Sequence, residues 1–163
     1  MTLRIPSEYP SWLADMAGRY FPRADEDSIR RLAGAWRHSS DRLAQTAHEL
    51  NTSVVADEVL WAALPEGFGN VCETRKLCVD ASREHSNIAE RLHEAAAMIE
   101  SAKKSIIATA NMARISIAED LGEMDNAIKV SARAGVEEAM AKISRELVSK
   151  LKELDFAGLR SDR

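Results

Sequence analysis

Ile29, Trp36, Leu43 and Leu50 recur every seven residues, with Leu32, Ala33, Ala47 and Val54 beside them, and no proline falls between Pro22 and Pro65. That spacing puts one apolar stripe along one long helix, and a stripe of this kind folds only against another helix. The start of the helix is signalled as clearly as its face. Tyr20-Phe21-Pro22 lies outside it, and Asp25-Glu26-Asp27 places a cap and two further carboxylates at the positive end of the helix dipole. The pattern persists to Leu60-Trp61 and is then cut by Pro65, Gly67 and Gly69, after which a second periodic segment begins. A helical hairpin with its turn near residues 62–70 is the predicted organisation.

The second segment, residues 71–121, carries Ile88, Leu92, Ala95, Ile99, Ala102 and Ile106 in alternating steps of four and three, continued by Ala110, Ala113, Ile117 and Leu121. It reads as one very long helix or two collinear ones, broken at Glu119-Asp120-Leu121-Gly122. A last helix is expected from about Asp125 to Leu154, with Val136, Met140, Ile143, Leu147, Leu151 and Leu154 as its stripe. Ahead of the hairpin, Ile5-Pro6-Ser7-Glu8-Tyr9-Pro10 predicts extended chain, then a short helix capped by Ser7 or Ser11, running through Trp12, Leu13, Met16 and Ala17 and ended by Gly18. The expected fold is therefore all-α: an elongated hairpin or bundle of about four helices, with 1–24, 25–121 and 122–163 as segments of one domain. Trp12, Trp36, Leu43 and Leu50 are its expected core anchors. Trp61 and Phe68 are expected to close the hairpin tip across Pro65 and Gly67 as a recognition feature.

Composition agrees with helix and removes several functions. Aromatics make up 5% of residues, with four prolines and seven glycines in 163 residues. The formal charge of -4, with both signs interleaved, offers no basic field for nucleic acid or anionic lipid. No run of about eighteen apolar residues exists to span a bilayer, and the N-terminus lacks a charged-then-apolar signal. Cys72 and Cys78, six residues apart on one helix, lie roughly 9 Å apart along the axis and about 120° out of phase, which excludes a disulfide within the helix and predicts small buried or half-buried thiols.

The chemistry of catalysis is sparse. Glu90-Arg91-Leu92-His93 has the Glu-x-x-His spacing of di-iron bundles, but a di-iron site needs that motif twice with two further glutamates, and it occurs once. His38, His48 and His85 share no ligand spacing, and neither a phosphate loop nor a nucleophile elbow is present. No cofactor, metal site or enzymatic role is expected. Instead the seam from Ile88 to Ile106, on a segment roughly 75 Å long by helical rise, predicts more apolar face than one chain covers. A homodimer, or a heterodimer with a small helical partner, is expected through Ile99, Ile106 and Ile117.

Particular residues carry a family resemblance. Pro6, Trp12-Leu13, Tyr20-Phe21-Pro22-x-Ala24-Asp25-Glu26-Asp27, Leu32-Ala33-x-Ala35-Trp36 and Trp61 resemble the N-terminal helical domain of actinobacterial polymorphic toxins of the mycobacterial channel and necrotizing-toxin type. That domain is an enlarged relative of the WXG-type hairpins exported by type VII (ESX) secretion. The resemblance is specific over Ile5 to Trp61 and extends through Glu100-Ser101-Ala102-Lys103 to Ile107. It implies a non-catalytic delivery or interaction module, cytoplasmic before export and then secreted or at the cell surface, with a protein partner. Two features depart from the family. The glycine after Trp61 is displaced to Gly67, and the fourth residues after Tyr9 and Tyr20 are Leu13 and Ala24 where the export signal has an acid. Either export rests on a signal carried by the partner, or this chain is not exported by that route. No toxin domain follows within the 163 residues, so the chain is expected to be a stand-alone homologue or a leading domain. A cytoplasmic scaffold or coiled-coil dimer is the rival from another class, and a metal-dependent helical enzyme through Glu90 and His93 comes third.

Overall fold

A computed structural model describes residues 2–56, 65–119 and 126–154, the side chains of 54–56, 65–68, 117–119 and 126 aside. Its described residues form α1 (Ser11–Tyr20), α2 (Glu26–Ala56), α3 (Pro65–Glu119) and α4 (Asn126–Glu153), with no strand among them. The all-α expectation holds. Asp25 caps α2 as its sequence requires: its carboxylate accepts the Asp27 backbone N–H at 3.0 Å and the Ser28 hydroxyl at 2.6 Å.

Three boundaries differ from expectation. Residues 65–70, predicted to lie in the turn, are the first residues of α3. Proline reads as a breaker in a helix interior, but at the first helical position its missing N–H has no partner to lose. Gly18 does not end α1; it lies inside the helix, facing Ile5 from the extended segment, and Phe21 supplies the cap. Neither Ser7 nor Ser11 caps α1, whose first turn hangs on the Pro10 carbonyl through the Leu13 and Ala14 N–H groups, each at 2.9 Å. Residues 71–119, for which one helix or two were open, belong to a single continuous helix.

The chain divides into two compact units. The first comprises residues 2–28, 94–119 and 126–154. In it Tyr9, Leu13, Met16 and Ala17 close against Ile106, Ala110 and Ala113 of α3 and Met140 of α4. Leu13, Ile106 and Met140 are fully buried, each contributing about 1.5–3 kcal/mol relative to exposure. Polar contacts at the edge orient α1 on α4: Arg19 and the Tyr20 hydroxyl both donate to Glu137, at 2.8 and 3.1 Å, and the Arg133 guanidinium lies 4.6 Å from the Trp12 ring centroid. Donating to the Glu137 carboxylate holds the Tyr20 phenol above its ordinary pKa. The second unit is the antiparallel pair formed by α2 from Ile29 and α3 up to His93.

Candidate functional site

In the second unit the deepest positions are held by small residues. Ala33, Ser40 and Ala47 recur every seven residues along α2 and are buried, as is Ala89 on α3. Small side chains let the two backbones approach, and hydroxyls then bond across the gap. Ser40 Oγ donates to the Ser82 carbonyl at 2.8 Å while Ser82 Oγ donates to the Ser40 carbonyl at 3.0 Å. One turn away His85 Nδ1 lies 3.0 Å from Ser39 Oγ, and its ring meets Trp36 edge-on at 4.6 Å. Arg37 reaches Ser86 at 3.0 Å and Glu90 at 3.5 Å.

That arrangement leaves the large apolar groups uncovered. Ile29, Trp36, Leu43, Leu50, Ile88 and Leu92 are only half-buried, and Leu32 and Leu77 stand 50% and 63% exposed. Among the described residues of this unit the two helices carry no third layer over their shared apolar margin, so the stripe that dominates the sequence stays partly open. Trp36, Leu43 and Leu50, expected as core anchors, are therefore a partly open flank of the helix pair. Trp12 is half-buried too, against the core of the first unit.

The first unit holds a buried ion pair that periodicity did not reveal. Lys103 Nζ donates to Glu26 Oε2 at 2.6 Å and to the Ala24 carbonyl at 2.7 Å, with the Phe21 ring centroid 5.5 Å away. Glu26 Oε1 accepts the Leu3 N–H at 2.8 Å. Both side chains are nearly inaccessible, Glu26 at 1% and Lys103 at 3%. Burial pushes the Glu26 carboxyl up, but the bonds from Lys103 and Leu3 outweigh it and hold the group below the ordinary carboxylate range. Beside it Thr2 Oγ1 donates within reach of Asp25 at 2.7 Å and Asp27 at 3.1 Å. The Ser28 and Thr2 hydroxyls depress the Asp25 carboxyl well below its usual range. Further along the extended segment, the Tyr9 hydroxyl lies 2.9 Å from Asn111 Oδ1 and 3.2 Å from the Ile107 carbonyl. A signal for the pair was present: Lys103 sits four residues after Ile99 and three before Ile106, a cation at a core position of the seam.

The expected interface residues need correction. Ile99 and Ile106 are 4% and 0% exposed. Ile106 is packed under Leu13 and Tyr9 in the chain's own core, because α1 and the extended segment cover the face that the sequence left open. The side chains of Trp61, Pro65, Gly67, Phe68 and Ile117 lie outside the described residues. Glu90 is engaged by Arg37, His93 is exposed, and no group of three His, Cys, Asp or Glu suited to a metal occurs among the described residues. Cys78 is half-buried as expected, whereas Cys72 is exposed.

A family model described as a WXG100 like domain matches residues 5–149. No curated protein and no solved structure matches the chain.

Proposed function

Because the chain belongs to the WXG100-like family, a group of type VII secretion-related helical proteins, we propose that it is a non-catalytic interaction and delivery module whose second unit docks a helical partner. The supporting observation is the helix pair of α2 and α3, whose buried centre is alanine and serine while its tryptophan, leucines and isoleucines remain partly exposed. A second pair of helices laid on that face would bury them, at about 25 cal/mol per Å2 of apolar area removed from water. The partner is a second copy or a small helical protein, and the complex is the form delivered by type VII secretion, as a toxin leader or its stand-alone homologue. Among the described residues no helix is long and apolar enough to cross a membrane.

Gel filtration with light scattering, on the chain alone and co-expressed with a small helical partner, tests the reading. A complex heavier than the 18.0 kDa single chain is expected. Replacing the exposed pair Leu32→Glu and Leu77→Glu should return it to single-chain mass with the helical content intact. A single-chain mass in both preparations would overturn the docking reading. Retention of the protein in cells whose secretion machinery is intact would instead support the scaffold.

A further inference from the structure

In the second unit, where Ala44 and Ala47 of α2 meet α3, their small side chains leave a cleft of about 380 Å3. Its rim is cationic: Arg75 and Arg83 from α3, with His48 and Asn51 from α2 opposite. A neighbouring hollow of about 360 Å3 shares both arginines and adds Lys76 and Asp80. Neither Arg75 nor Lys76 has an ion-pair partner among the described residues. Asp80, the acid at the rim among the described residues, sits 3.8 Å from Arg83, both largely solvated, a contact worth little. Glu49, on the same stretch of α2, accepts from Gln45. In a chain of net charge -4, Arg75, without an ion-pair partner among the described residues, and Arg83, held only by its solvated contact to Asp80, stand over an apolar floor and are a feature that a complementary anion would satisfy.

We propose that this cleft receives the acidic flank of a partner's amphipathic helix. Two carboxylates two turns apart would pair with Arg75 and Arg83, while an apolar residue between them rests on Ala44 and Ala47. Spacing favours a helix as the occupant. Arg75 and Arg83 are eight residues apart, about 12 Å along the axis, and acids seven apart on a partner helix are about 10.5 Å apart, within reach of flexible arginines. Arginine's planar fork binds carboxylates in bidentate fashion. The proposal rests on the reading of the second unit as a docking surface and adds the chemistry that would select the partner.

The test uses the full chain and two synthetic helical peptides of about 20 residues with the same leucine stripe, one bearing glutamates seven apart on its flank, the other glutamines. Fluorescence anisotropy at about 50 mM salt should show the glutamate peptide binding roughly tenfold tighter, from two charge pairs at about threefold each. The preference should shrink at about 500 mM. The double variant Arg75→Gln and Arg83→Gln should bind the two peptides alike without a change in its thermal melt. A preference that survives in the variant overturns the proposal, as does the absence of binding by either peptide. Full displacement of the glutamate peptide by millimolar inorganic phosphate would also overturn it, assigning the cleft to a small anion. Equal binding of both peptides by the parent chain, lost on Leu32→Glu with Leu77→Glu, would remove this inference and leave the docking reading standing.

Discussion

Replacing Lys103 by methionine keeps most of the side-chain volume, so the expected cost is electrostatic and not that of a cavity. The variant would leave the Ala24 carbonyl without the Lys103 donor and Glu26 Oε2 without the ammonium that pairs with it in a nearly closed site, while Oε1 keeps the Leu3 N–H. Losing one member of a buried pair costs about 3–5 kcal/mol. A ceiling follows independently, since Glu26 can escape by taking a proton. From an ordinary glutamate pKa near 4.3, protonation at pH 7 costs about 1.36 × 2.7, or about 3.7 kcal/mol. The sign of the pH response is fixed by this. In the parent chain the folded-state pKa of Glu26 is depressed, so the pair's stability is present above the unfolded pKa and is lost as pH falls through the folded one. In the variant the folded pKa is raised, so the deficit should shrink by about 2 kcal/mol between pH 7 and about pH 5. Urea unfolding followed by circular dichroism measures both. The double variant Glu26→Met with Lys103→Met, which removes the buried charge altogether and leaves the Leu3 N–H and the Ala24 carbonyl without these partners, should be at least about 1 kcal/mol more stable than Lys103→Met alone at pH 7. A single-variant cost below about 1 kcal/mol, or one independent of pH, would refute the account of a buried, mutually dependent pair.

Tyr9→Phe removes a hydroxyl shared between Asn111 and Ile107 and should cost about 0.5–1.5 kcal/mol in urea unfolding; no change would mean that the extended segment is not held there. Burial raises the Tyr9 phenol pKa, so in the parent it should ionise later than a free tyrosine in a spectrophotometric titration. Ser40→Leu puts a large side chain where Ser40 and Ser82 exchange bonds and should destabilise by about 1–3 kcal/mol through overpacking, while Leu32→Ala, at an exposed site, should change stability by under about 0.5 kcal/mol. Asp25 has a depressed folded-state pKa from the Ser28 and Thr2 hydroxyls, so it stabilises above the ordinary carboxylate pKa and the benefit fades as pH falls. Asp25→Ala should therefore flatten the acid side of the stability profile, and an unchanged profile would count against the cap.

The sequence by itself determined the helices, their faces and the start of α2, because these depend on spacing along one chain: a seven-residue stripe, an Asp cap, a four-and-three seam ending near Glu119. It also carried enough family signal to point to a WXG-type relation, which the family match over residues 5–149 supports. What it did not determine is which face each stripe spends inside the chain. Periodicity ranks residues by side and not by depth, so Trp36, Leu43 and Leu50 read as core while Ala33, Ser40 and Ala47, one step round the same helix, are the buried positions. Likewise Ile106 looked free for a partner because nothing in its local pattern reveals that Tyr9 and Leu13, about a hundred residues earlier, cover it. The ion pair of Glu26 and Lys103 is the same case in charge. Lys103 stands out locally as a cation on the seam and Glu26 reads as a first-turn carboxylate, but only tertiary contact across 77 residues joins them, removes both from water and makes each depend on the other.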